Sequence, residues 1–181
     1  MLCPSAQAAF HLWSIREIYT DASGSLQFVE MVDNSGGQNF VGSQQISVAN
    51  VGATQTHNFT LPSGNLPGST LGHTLLLGTA GLAAAGGPTP DYIIPNNFLF
   101  SAGGTINFWG TSGNSPLTYS ALPTDGSHSR ITLGGSGDAI NSPQNFAGAT
   151  GTIVVPEPTT WALLGTGATT LGFFLRRRDR Q

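Results

Sequence analysis

No apolar run before residue 155 has the length or the 3.6-residue spacing of a helix of ten residues or more. The chain must therefore bury its apolar side chains on strands. Short runs of strand length alternate with turn-forming residues. Phe10 to Tyr19 and Leu26 to Val32 flank Asp21-Ala22-Ser23-Gly24-Ser25, the pattern of a hairpin with a glycine-containing loop. Further candidate strands follow at 45–50, 56–61, 73–79, 92–94, 105–109, 117–120 and 130–133. Within 105–109 the residues alternate, with Ile106 and Phe108 on one face, and Asn58-Phe59-Thr60-Leu61 does the same. Leu82 to Gly87 is too short and glycine-rich for a helix and reads as a loop leading to Pro88-Thr89-Pro90. With 25 glycines, 11 prolines and only 8% charged residues in 181, the composition is that of a loop-rich, exported all-β protein. Two packed layers bury such faces most simply, so the expected fold is an immunoglobulin-like β-sandwich over residues 9–153.

A different physics begins at residue 154. Val155-Pro156-Glu157-Pro158 precedes an uncharged stretch, Thr159 to Leu175, which is followed by Arg176, Arg177, Arg178 and Arg180. Seventeen residues at helical rise span roughly 26 Å, just short of a hydrocarbon core of about 30 Å. The arginines would stay on the cytoplasmic side, placing everything before Pro156 across the membrane. Pro156 and Pro158 keep the entry extended, since each fixes its own φ and disfavours helix in the residue before it. An ordinary single-span anchor is one reading of residues 154–181. The combination of Pro-bounded motif, apolar segment and terminal arginines resembles the PEP-CTERM signal of Gram-negative bacteria, and this resemblance implies recognition and processing by an exosortase. Gly165-Thr166-Gly167 lacks the strand-turn-helix context of a nucleotide site and reads as small residues of a membrane helix.

The other end also suggests export. Ser5-Ala6-Gln7-Ala8 has the small-x-small pattern accepted by signal peptidase, with cleavage expected after Ala8. No basic or apolar signal region precedes it, so residues 1–8 read as the remnant of a signal peptide whose natural start lies upstream. Cys3 would leave with that segment, and a cysteine-free body uses neither disulfides nor thiolate metal sites. Between residues 9 and 155 only Arg16 and Arg130 stand against Glu17, Asp21, Glu30, Asp33, Asp91, Asp125 and Asp138, a net charge of −5. Such an acidic, lysine-free surface does not attract nucleic acid.

Ile15-Arg16-Glu17-Ile18, Gln27-Phe28-Val29-Glu30-Met31 and Leu75-Leu76-Leu77-Gly78 resemble the opening strands of lamin-tail-like domains, with Phe28 where tryptophan is more typical. The resemblance covers about residues 12 to 80 and implies an immunoglobulin-like fold with an extracellular binding or scaffolding role; fold alone does not fix function. Ser142-Pro143-Gln144-Asn145-Phe146-Ala147-Gly148 is also similar to stretches of exported bacterial proteins that carry the same tail.

Catalytic and metal sites are not expected. His11, His57, His73 and His128 stand among many serines, but no Gly-x-Ser-x-Gly elbow and no His-Glu-x-x-His occurs. Gly134-Gly135-Ser136-Gly137-Asp138 reads as a flexible loop between strands, and His128 as a solvated histidine in a turn-forming cluster. Asn58-Phe59-Thr60 has the form of a glycosylation sequon, which a bacterial tail makes a chance match. Glu17 and Glu30 fall on partner strands, close enough to offer two hard oxygens to Ca²⁺. The competing reading pairs Glu17 with Arg16, Arg130 or a nearby turn and lets Asp33-Asn34 cap a turn, each glutamate contributing about 1 kcal/mol or less if exposed. No cofactor is expected. The expected function is a non-catalytic surface or matrix protein sorted through an exosortase, with the inner membrane as a transient partner and exopolysaccharide or biofilm as a setting. The alternative is an exported glycan- or calcium-binding module, with Trp109 and Tyr119 as stacking faces.

Overall fold

The computed structural model describes residues 11–108, 115–135 and 137–155. Among these, ten strands form two sheets: β1 (Trp13–Thr20), β2 (Gln27–Asp33), β3 (Gln45–Asn50), β4 (Thr56–Thr60), β5 (Thr74–Gly78), β6 (Tyr92–Ile93), β7 (Gly103–Phe108), β8 (Leu117–Ser120), β9 (His128–Ile131) and β10 (Gly137–Ile140). One sheet runs β10-β9-β1-β2-β5-β6 and the other β4-β3-β7-β8. Every pairing is antiparallel except β5 with β6. The inner faces share one core, Trp13, Ile15, Val29, Met31, Leu75 and Leu77 meeting Ile46, Val48, Ile106 and Phe108. The body is thus an all-β, two-layer structure of the kind the short alternating runs predict.

The two sheets differ on their outer faces. On β4 and β7 the outward Asn58 and Asn107 are exposed while Phe59, Ile106 and Phe108 turn inward, so the period of two survives intact. In the six-stranded sheet every residue of β2 and of β5 is buried. Val29 and Met31 enter the inter-sheet core, whereas Phe28 joins Tyr19, Leu76, Leu82 and Ile153 in a second apolar cluster on the opposite face. A bulge between Ile15 and Glu17 shifts the phase of β1, which is why Ile15 and Ile18, three apart, both reach the inter-sheet core.

The second cluster exists because residues 141–155 fold back over the sheet as a strap. An outgoing arm, 141–146, is joined through a turn at 145–149 to a return arm that pairs Thr150 with Gln144 and donates the Gly151 N–H to the Pro143 carbonyl. The return arm lies against the 82–87 loop so closely that a Cβ on Gly151 would come within 2.3 Å of the Gly86 carbonyl oxygen. The glycines of that loop thus serve contact as well as turning.

Three expectations need correction. The glycine-rich stretch before residue 140 is a loop only in part: Gly137-Asp138-Ala139-Ile140 pairs with β9 as an exposed edge strand, and Asp138 forms an ion pair with Arg130. His128 is solvated and held in the 125–128 turn as expected, but it also opens β9 and so belongs to a strand as well as a loop. Tyr119 is 5% exposed, with its hydroxyl donating to the Phe100 carbonyl oxygen, so its ring offers no stacking face to a ligand; Trp109 lies outside the described residues.

Candidate functional site

The strap is held by groups that the sheet presents in strand order. Glu17 on β1 accepts the Ser142 N–H at 2.9 Å, and Glu30 on β2 accepts the Gln144 N–H at 2.6 Å. Thr74 on β5 donates to the Asn145 carbonyl at 3.0 Å, and Asp91, next to β6, accepts the Phe146 N–H at 2.9 Å. Alternate N–H groups of the outgoing arm thus meet three carboxylates as the arm crosses β1, β2 and the β5–β6 edge. His73 closes the far end, stacked on Phe146 with ring centroids 4.7 Å apart and its Nδ1 3.0 Å from the Phe146 carbonyl.

The carboxylates are buried by the arm that they hold. Glu17 and Glu30 stand directly opposite each other in the β1–β2 register, as the hairpin predicts. Both are buried, so the small contribution expected of exposed groups does not apply. Glu17 takes its hydrogen bonds from Ser129 at 2.6 Å and from Ser142, whereas Arg16 is spent on Glu30 and Arg130 on Asp138. Glu30 Oε1 makes the ion pair with Arg16 but has no hydrogen-bond donor aligned on it. Burial pushes the Glu30 carboxyl up to about 7, against the opposing pull of Arg16 and the Gln144 N–H and with a further push from Glu17. Burial raises Asp91 as well, opposed by the N–H groups of Leu76 and Phe146. These oxygens face N–H donors and a guanidinium, which is not the oxygen shell that Ca²⁺ requires. Among the described residues no group of three or more His, Cys, Asp or Glu is placed to hold a metal ion. Asp33 caps its turn as expected, accepting from Ser35, Gly36 and Thr70.

The return arm ends in a clamp. Asn141, fully buried, accepts the Ile153 N–H through Oδ1 at 2.7 Å and donates through Nδ2 to the Ile153 carbonyl at 2.8 Å and the Ser127 carbonyl at 2.7 Å. One side chain thus engages both backbone groups of Ile153, whose own side chain is buried in the second cluster. Two residues on, the Val155 N–H donates to the Gly126 carbonyl at 3.1 Å. Gly126 has φ +80° and its Cβ position falls 2.5 Å from the Val155 carbonyl oxygen, so glycine is required there on two counts. The same Gly126 carbonyl accepts the Tyr19 hydroxyl at 3.2 Å.

The turn that carries Gly126 also contains serine, histidine and aspartate side by side, but not as a relay. Ser127 Oγ and Asp125 both contact His128 Nδ1, whereas base catalysis needs the nucleophile on one ring nitrogen and the orienting acid on the other. Asp125 feels some burial, which raises it, but the N–H groups of His128 and Ser127 and the His128 ring outweigh this and hold it at about 2. His57 directs Nδ1 to the Phe98 carbonyl at 2.9 Å and stacks on Phe100.

Of the sorting residues named from the sequence, Val155 is the last described, half-buried against the second cluster. Pro156, Glu157, Pro158 and the four arginines lie outside the described residues, as does the 1–8 remnant. No helix among the described residues is long and apolar enough to cross a membrane, and Thr159 to Leu175 is not among them. Asn141 and Asp91, central to the strap, belong to no sequence motif; the only signal was the family-like stretch 142–148, to which no role could be attached. Residues 154–178 match the family model of the PEP-CTERM protein-sorting motif. No curated protein and no solved structure matches the chain.

Proposed function

We propose that this chain, a carrier of the PEP-CTERM sorting signal, is an exported, non-catalytic surface or matrix protein whose folded body is delivered through processing of its C-terminus. The signal implies export, transient anchoring in the membrane and processing by an exosortase, itself a membrane enzyme. The observation that carries the reading is the match over residues 154–178, which starts where the packed body ends. The two face-packed sheets are in keeping with an immunoglobulin-like scaffold, the finer reading of the body. The non-catalytic part of this reading draws its support from the turn at 125–128, where Ser127 and Asp125 meet the same nitrogen of His128 and so form no relay. The expected destination is the cell surface or its exopolysaccharide, a setting suggested by the tail alone.

Replacing Pro156-Glu157-Pro158 by three alanines tests the sorting role. Thr159 to Leu175 and the arginines stay intact, so the variant should still insert in the membrane and accumulate there unprocessed. Immunoblots of membrane and extracellular fractions read the outcome, and mature protein of unchanged size and amount would refute the assignment.

A further inference from the structure

The clamp on Ile153 and Val155 bears directly on how the tail can be processed. An enzyme that binds a chain segment in extended form needs that segment's backbone N–H and C=O groups free to pair with its own cleft. At the entry to the sorting motif they are not free. Both backbone groups of Ile153 are taken by Asn141, the Val155 N–H is taken by Gly126, and the Ile153 side chain is buried. Val154 between them is 63% exposed, but it cannot enter a cleft alone while its two neighbours are held. No spacer separates this clamp from the prolines of the motif, because Val155, itself a sorting residue, is followed at once by Pro156.

We infer that the body withholds residues 151–155 from the processing enzyme, and that the return arm of the strap must peel away from Asn141 and Gly126 before the tail is processed. This rests on the sorting reading and adds to it a regulatory role for the folded body: processing draws on a locally opened form. The outgoing arm need not move, since the hydrogen bonds of Ser142, Gln144 and Phe146 to Glu17, Glu30 and Asp91 do not involve residues 151–155. The opening is thus a local event of the low-stability kind, and when it is fast relative to cleavage the processing rate follows the open population.

The test follows conversion of the full chain, exported behind a cleavable leader in cells that contain an exosortase, by pulse-chase labelling. Asn141→Ala removes three hydrogen bonds at the clamp and should raise the conversion rate roughly tenfold. A flexible insert of about ten Gly and Ser residues between Val155 and Pro156 leaves the clamp closed but supplies an unheld segment ahead of Pro156. It should accelerate conversion at least as much, and Asn141→Ala should then add nothing further. Should Asn141→Ala fail to fold, the insert still decides: unchanged or slower conversion with the insert overturns the clamp. Each background is repeated with the Pro156-Glu157-Pro158 alanine triplet. Conversion that survives the triplet overturns the sorting reading and the clamp with it, whereas a blocked triplet beside an insert without effect overturns the clamp alone.

Discussion

Phe28→Ala should destabilise the body by about 3 to 5 kcal/mol, measured as a shift in the urea midpoint at constant slope. Phe28 is fully buried and stacks on Tyr19 with ring centroids 5.3 Å apart. The cluster around it is small, with Leu76, Leu82 and Ile153 as the remaining buried members, so little can collapse into the space that the ring vacates. Domains of this size have a total stability of about 5 to 15 kcal/mol, and the variant should sit near the edge of folding at 37 °C. A loss below about 1 kcal/mol would mean that the strap closes over the gap and that the second cluster is not an independent source of stability.

The body should become more stable as the pH falls from 8 to 5, the reverse of ordinary acid denaturation. Glu30 has its carboxyl raised from 4.5 to about 7, chiefly by burial. Between those two values the folded chain holds a proton that the unfolded chain has released. Stability is therefore fully present below 4.5 and declines as the pH rises through 7. The shift corresponds to a difference on the order of 3 kcal/mol, or roughly 6 to 12 °C in Tm. Asp91 moves in the same direction, for the same reason. Asp125 has the opposite sign, but its carboxyl is held at about 2, so its contribution is lost only as the pH falls below 3.8, outside this window. Glu30→Gln should flatten the dependence, because the amide keeps an acceptor for the Gln144 N–H and cannot ionise. Thermal melts of both proteins across the range are sufficient. A wild-type Tm that stays level or drops toward pH 5 contradicts a Glu30 carboxyl raised by burial.

Local pattern was enough to find the strands whose environment is one-sided. The bounds 45–50 and 117–120 coincide with β3 and β8, because polar and apolar residues alternate there against a single core. On β2 and β5 the alternation fails, since apolar residues on both faces record two clusters at once, and the second depends on a strap more than 60 residues further along the chain. Nothing local reports such a contact. The edge strand β10 was hidden for another reason: it is fully exposed and opens with glycine, so it has neither apolar rhythm nor propensity to mark it and exists through its pairing with β9. The glutamate pair was legible as a register, Glu17 opposite Glu30, while their partners were not. The chemistry of a carboxylate suggests a cation or a turn, and no sequence rule distinguishes either from the N–H groups of a distant arm.

Most of what the outgoing arm offers the sheet is its peptide backbone. Glu30 and Asp91 contact the amide hydrogens of Gln144 and Phe146, and an amide hydrogen is common to every residue type except one. The identity of residue 144 can therefore drift with little consequence for attachment, whereas the acids beneath it have no such freedom. Proline alone, which has no hydrogen on its nitrogen, turns a silent position into a broken one. Selection acting on this arm would be recorded in the strands that it covers more than in the arm itself.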